Sequence, residues 1–222
     1  MVNSKHALWI ALVFTIIIFI IGVALGFFLE QSRANQFSSD VTKSEVNLLD
    51  EQIMNKAITD GSISCGVAIN STFSFADRIY AEAATLENYD SASEFTSDLR
   101  EIHMRYDLLR MLLWNEATVL KQNCNASFHT VVYLFDYQTT DTSLLAEQDT
   151  MSKLLLDMKQ KYPNQILLIP IAANLNLESV NLVLQSYKIQ KEPVIIIDNN
   201  QTIDHLVGFN ELENDVFNSN KE

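Results

Sequence analysis

Glycine, proline and cysteine are scarce in this chain: its 222 residues hold five, three and two of them. Five glycines leave little room for a phosphate-cradling loop, and no GxGxxG, Walker A or GxSxG pattern is present. The two cysteines, Cys65 and Cys124, lie far apart, so there is no CxxC dithiol. The four histidines (His6, His103, His129 and His205) show no metal-binding spacing such as HExxH, and His103 reads as a solvated helix position. Carboxylates are plentiful, yet no arrangement separates an acid from a base. Neither a cofactor, a metal site nor a catalytic residue is expected. Basic charge is also short, 15 Lys+Arg against 28 Asp+Glu for a net of −13. That balance argues against nucleic acid and against polybasic attachment to anionic lipid.

What the chain does have is one long apolar run. Residues 7–29 (ALWIALVFTIIIFIIGVALGFFL) carry no charge. As a helix they reach about 34 Å, enough to cross a hydrocarbon core of about 30 Å. A cleaved signal peptide has a shorter apolar region of about 7–15 residues, and Ser32-Arg33-Ala34 resembles a cleavage site only loosely. The expectation is therefore an uncleaved signal-anchor. Lys5 and the terminal amine precede the span, which places the N-terminus, residues 1–6, in the cytoplasm and the bulk of the chain outside the membrane. Trp9 and Phe27-Phe28 stand near its two ends. Gly22 and Gly26 form a GxxxG step that lets two such helices approach.

Residues 30–127 read as a helical membrane-proximal region. Glu30–Thr42 is polar and resembles a stalk. Lys43–Asp60 has Val46, Leu49, Ile53 and Ala57 at helical spacing, with Gly61 as C-cap. An irregular stretch, Ser62–Ser74, holds Cys65 and Gly66, and Phe75–Tyr89 is a further helix. The longest helix is expected from about Ser93 to Gln122, where Phe95, Leu99, Ile102, Tyr106, Leu109, Leu113, Ala117 and Leu120 alternate in steps of four and three. Such a heptad seam either joins two copies as a coiled coil or packs against the neighbouring helix and sheet.

From His129 the period changes. His129–Phe135 is a buried strand, Thr142–Tyr162 an amphipathic helix with Leu144, Met151, Leu155 and Met158 inward, and Gln165–Ile171 a second strand. Leu177–Tyr187 is a second helix, and Pro193–Ile197 and Thr202–Val207 are strands flanking a turn at Asn199-Asn200. Strand–helix–strand–helix–strand–strand implies parallel pairing first and antiparallel pairing last. After Asn210 the chain is acidic and Asn-rich, with a short terminal helix that frays.

The segment Gln185–Phe209 resembles the C-terminal half of a thioredoxin-like domain. The likeness rests on the Glu192-Pro193 step before the strand Val194–Ile197 and on Gly208 after the hairpin. Phe135-Asp136-Tyr137-Gln138 is similar to the strand end that leads into the cysteine pair of DsbA-like oxidoreductases. The resemblance covers residues 128–215, leaves 216–222 as a tail, and implies a cis-proline at Pro193 beside an active site. It also implies a peptide-binding edge, here Gln138, Thr139, Thr140, Asp141, Glu192 and Pro193. No cysteine occupies the redox position; Thr139–Ser143 instead offer N-caps for the following helix. Glu192 would raise the pKa of any thiol beside it. The expected fold class is α/β: a four-stranded mixed sheet with flanking helices, preceded by a membrane-spanning helix and a helical stalk. A single-pass anchor followed by such a module resembles a membrane-tethered arrangement of prokaryotic envelope proteins.

Cys65 and Cys124 both fall on the outer side, where disulfides persist. A structural bridge, two free buried thiols and a redox-active pair are the alternatives, the bridge being preferred. Asn70, Asn125 and Asn200 head N-x-S/T triplets in expected loops, as glycosylation would require. The functional expectation is a tethered, redox-inactive protein that binds or chaperones a protein or peptide partner in the cell envelope. Against it stand a thiol–disulfide oxidoreductase partner using Cys65 and Cys124, and a structural homodimer built on the GxxxG and the heptad.

Overall fold

The computed structural model describes residues 4–59, 63–90 and 96–218. Two compact units are present, Met1–Lys43 and Ser44–Glu222. Residues 4–43 of helix α1 (Ser4–Thr59) supply the first of them. Its window Leu12–Leu29 has a mean hydropathy of 3.0 and is apolar enough to cross a membrane, with none of it buried against protein. The polar Glu30–Thr42 segment is helical within α1, which makes α1 the longest helix at 56 residues. Gly61 and the expected helix start at Ser93–Phe95 lie outside the described residues.

The second unit is an α/β assembly around a four-stranded mixed sheet. Helices α2 (Cys65–Asp90) and α3 (Thr96–Cys124) precede β1 (His129–Phe135), α4 (Thr142–Lys161) and β2 (Ile166–Ala172). A 3-10 turn (Ala173–Leu175), α5 (Glu178–Ser186), β3 (Val194–Ile197), β4 (Gln201–Ile203) and α6 (Phe209–Asn218) complete the chain. The strand order is β2-β1-β3-β4. β1 pairs parallel with β2, opposing His129 to Ile166 and Phe135 to Ala172. It pairs antiparallel with β3, opposing Leu134 to Val194, and β3 pairs antiparallel with β4. A β-branched run such as Val194–Ile197 is buried on both faces, as the central strands of a covered sheet must be. Each such side chain contributes about 1.5–3 kcal/mol of transfer free energy.

Side chains alternate across the sheet. Val131, Tyr133, Ile195, Ile197 and Ile203 form one core with Met151, Leu155 and Met158 of α4 and Leu212 and Val216 of α6. Val132, Leu134, Val194 and Ile196 are buried on the other face, where α3 covers β1 and β2 and also meets α5. Val216 and Phe217 therefore belong to the domain rather than to a tail: Val216 is buried, and the Phe217 ring meets those of Tyr162 and His129. The hydroxyl of Tyr162 and the ammonium of Lys161 both bond Glu213, fixing α6 to the end of α4.

Three expectations are corrected here, and the heptad seam takes the internal one of its two readings. Ser62–Ser74 is not irregular throughout, because α2 starts at Cys65. Burial of Ala68, Phe73, Phe75, Ala76 and Ile79 along one side of that helix outweighs the weak propensities of its Gly, Ser and Thr residues. The heptad seam is an internal contact: Tyr106, Leu109, Leu113, Ala117 and Leu120 are all buried within this chain. β4 stops at Ile203 rather than Val207, since β3 offers it only Ile195–Ile197 as partners. The left-handed residues of the preceding turn are Asp198 (φ 49°) and Asn199 (φ 60°), one position earlier than expected, and Asn200 N–H donates to Ile197 O at 3.0 Å. Helices α2 and α3 are part of the compact unit that begins at Ser44.

Candidate functional site

The loop between β1 and α4 is held by two side-chain amides. Asp136 N–H donates to Gln148 Oε1 at 2.8 Å, and Gln148 Nε2 donates back to Asp136 O at 3.1 Å. Tyr137 N–H donates to Asn174 Oδ1 at 2.8 Å, and Asn174 Nδ2 donates to Tyr137 O at 2.9 Å. Each amide copies the donor–acceptor pair that a neighbouring strand would offer. Two consecutive residues past the end of β1 thus stay ordered without a strand partner. Gln138 follows in the left-handed region at φ 53°, turning the chain toward α4, and its amide donates to Tyr137 Oη at 3.1 Å.

Among the expected N-caps, Asp141 takes the position. Its Oδ1 accepts from Ser143 N–H at 2.9 Å, Leu144 N–H at 3.3 Å and Ser143 Oγ at 2.7 Å. The Ser143 hydroxyl and these amides hold the Asp141 carboxyl below the usual carboxylate range. Thr139 Oγ1 accepts from Asp141 N–H at 3.3 Å, while Thr140 is exposed. At the start of β3 the Glu192–Pro193 peptide is cis. Burial and then the Asp136 carboxylate push the Glu192 carboxyl up, and Lys191 helps to hold Asp141 down. The two loops named from the sequence are therefore electrostatic neighbours at one end of the sheet. This end is rich in acid.

Beneath the loop lies a cluster not seen in the sequence. Asp107 on α3 is buried, with Oδ1 accepting from Arg110 Nη1 at 3.0 Å and Oδ2 from Ala172 N–H at 3.0 Å. Burial raises its pKa to about 6 against the opposing pull of Arg110. His103, expected to be solvated, is buried, and its ring lies 4.2 Å from that of Tyr137. The signal available in the sequence was the spacing 103, 107, 110 on one helix face. Gln148 had a comparable signal: it falls on the same stripe as Met151, Leu155 and Met158, a polar residue on an apolar face. Asn174 had none.

The opposite end of the sheet is locked by the β3–β4 turn. Asp198 accepts from Lys121 Nζ at 2.5 Å and from Thr130 N–H at 2.9 Å, and lies 2.6 Å from His129 Nδ1. Burial alone would raise its pKa, but the bonds from His129, Lys121 and Thr130 bring it down to about 2. Asn199 Oδ1 accepts from Trp114 Nε1 at 2.6 Å. Cys65 and Cys124 form a disulfide at this end of α3, with Cα atoms 5.6 Å apart, packed with Ile63, Ala68, Ile69 and Leu120. No described cysteine is free.

The three sequons differ in placement. Asn125 follows α3 at φ 46°, and Asn200 sits in the β3–β4 turn, both exposed in loops as expected. Asn70 lies inside α2, and the hydroxyl of Thr72 is buried and donates to Ala68 O at 3.1 Å, which corrects the loop assignment of that triplet. Among the described residues no group of three or more His, Cys, Asp and Glu could hold a metal ion. No known protein-family model matches this chain, and no curated protein is significantly similar to it.

Proposed function

We propose that this chain is a membrane-tethered domain of the thioredoxin-like type, without redox chemistry, that binds or chaperones another polypeptide of the cell envelope. The observation that carries this reading is the double amide clamp on Asp136 and Tyr137. It spends Gln148 and Asn174 on fixing a loop that bears no nucleophile. A loop held in place in this way suits recognition, because less ordering entropy is lost when a partner docks. The strand order, the mixed pairing and the position of Glu192–Pro193 beside that loop support the fold assignment. Both cysteines are joined to each other away from this loop, which favours binding over thiol exchange as its role. The α1 segment Leu12–Leu29 serves as a single-pass anchor, with the N-terminus in the cytoplasm and the α/β unit outside.

The test places a photo-reactive side chain at Thr139 or at Glu192 of the full chain in its membrane. A discrete heterologous polypeptide captured from both positions, and not from exposed Asn164 at the far end of the sheet, is the expected result. Self-adducts only, or equal capture from all three positions, would overturn the reading.

A further inference from the structure

A cavity of about 490 Å³ opens beside the clamped loop, on its β2 side, between α2, α3 and α4. Glu192–Pro193 adjoins the loop from the β3 side, so the cavity lies across the loop from it, with Gln138 common to both. Its volume falls in the range of sites that enclose a side chain or small ligand, about 300–1,000 Å³.

Backbone pairing does not explain what would enter it. β2 is an edge strand, but several of its outward polar groups are occupied or missing. Ile166 O accepts from Lys159 Nζ at 3.3 Å, Pro170 has no N–H, and Ala172 N–H is taken by Asp107. An added strand would find few partners there. Recognition at this edge therefore falls mainly to side chains.

The walls define which side chain. Tyr133 and Phe135 present stacked rings with centroids 5.6 Å apart, and Tyr80 and Tyr137 add two more aromatic surfaces. Charge on the walls is divided unequally. Arg110 reaches the cavity with its guanidinium already bonded to Asp107, and His103 lies against the Tyr137 ring. Asp136 and Asp149 also line the cavity, and among the described residues neither carboxylate is in an ion pair. Their field is felt by their neighbours: Asp149 and Glu147 add to burial in raising the Tyr133 hydroxyl, and Asp136 adds to burial in raising Glu192. Aromatic faces next to uncompensated carboxylates favour a cation on an apolar stem.

We propose that this cavity receives a lysine or arginine side chain of the partner polypeptide, its stem along Tyr133 and Phe135 and its charge toward Asp136 and Asp149. The proposal rests on the polypeptide-binding reading given above. The test selects random heptapeptides displayed on phage against the full chain in lipid nanodiscs, then measures the best peptides by fluorescence polarisation. Selected peptides should share a Lys or Arg, and its replacement by Met should weaken binding about tenfold. In the Asp149→Asn and Asp136→Asn chains the Lys and Met peptides should bind alike, the signature of a direct pairing. Asp149 is exposed on α4, so its replacement leaves the core intact. Peptides that bind the loop without a basic residue, or with no coupling to either aspartate, overturn this proposal and leave the polypeptide-binding reading standing. Failure to select any peptide counts against both.

Discussion

The side chain of Gln148 bonds both polar backbone groups of Asp136, accepting at 2.8 Å and donating at 3.1 Å. A residue on the inner face of α4 thereby extends β1 by one position beyond its last strand partner. Gln148→Leu keeps much of the volume and removes both bonds, leaving a partly buried N–H and C=O unpaired. It should cost about 1–3 kcal/mol, seen in the urea midpoint, and should speed hydrogen exchange at Asp136 and Tyr137 more than at β3. Exchange that rises equally everywhere would mean the clamp is only part of the general core. Asn174→Ala, at a more exposed clamp, should show the same local effect with about 0.5–1.5 kcal/mol.

Asp107 makes stability fall as pH rises. Its folded pKa, about 6, lies above the usual 3.8, so the folded state holds the proton more tightly than the unfolded chain. This contribution is fully present below about pH 4 and is lost progressively as pH climbs through 6. Two pKa units correspond to about 3 kcal/mol. Asp107→Asn should flatten the stability profile between pH 4 and 6. An unchanged slope would assign the effect elsewhere.

Asp198 acts with the opposite sign. Its folded pKa of about 2 lies below 3.8, so its contribution is present above about pH 4 and disappears as pH falls through 2. The carboxylate is largely shielded, at 14% exposure, and the effect should be about 2 kcal/mol. Asp198→Asn should remove the acid limb of the profile while leaving the limb between pH 4 and 6 to Asp107. The two variants together separate two neighbouring pH windows in one protein.

The Cys65–Cys124 bridge closes a loop with a sequence separation of 59. By loop entropy it should contribute about 4 kcal/mol. The double variant Cys65→Ser/Cys124→Ser should unfold at markedly lower denaturant, yet retain partner capture from Thr139 under conditions where it is still folded. Loss of capture in a folded, stable double variant would favour thiol exchange over a structural role.

Trp114 reports on the β3–β4 turn through its bond to Asn199. Asn199→Gly keeps the left-handed backbone at φ 60° without strain and removes only the side-chain bonds. Asn199→Ala adds the cost of a Cβ in that region, about 1 kcal/mol more. Both should change Trp114 fluorescence alike, while thermal denaturation should rank Asn199→Ala below Asn199→Gly. Equal midpoints would mean the turn relaxes out of its left-handed geometry.

The sequence by itself determined the elements and their type. The uncharged run 7–29, the switch from helical to strand periodicity at His129, and the buried strand Val194–Ile197 each follow from local hydrophobic pattern, which acts within a few residues. The parallel-then-antiparallel sheet followed from element order, and Asp141 was among the caps its chemistry named. What only the tertiary structure decided were relationships between distant residues. The sequence could not say that the seam from Tyr106 to Leu120 packs inside the chain, because a heptad is equally satisfied by a second copy. Nor could it show that Cys65 begins a helix, since the reason is burial of Ala68 and Phe75 rather than propensity. The clamps on Asp136 and Tyr137, the Asp107–Ala172 contact and the Asp198–Lys121 bond join residues 12 to 77 positions apart. No periodicity encodes such pairings. They exist because backbone groups at strand ends and turns must be satisfied once the sheet is covered, and the fold alone determines which side chain is near enough to do it.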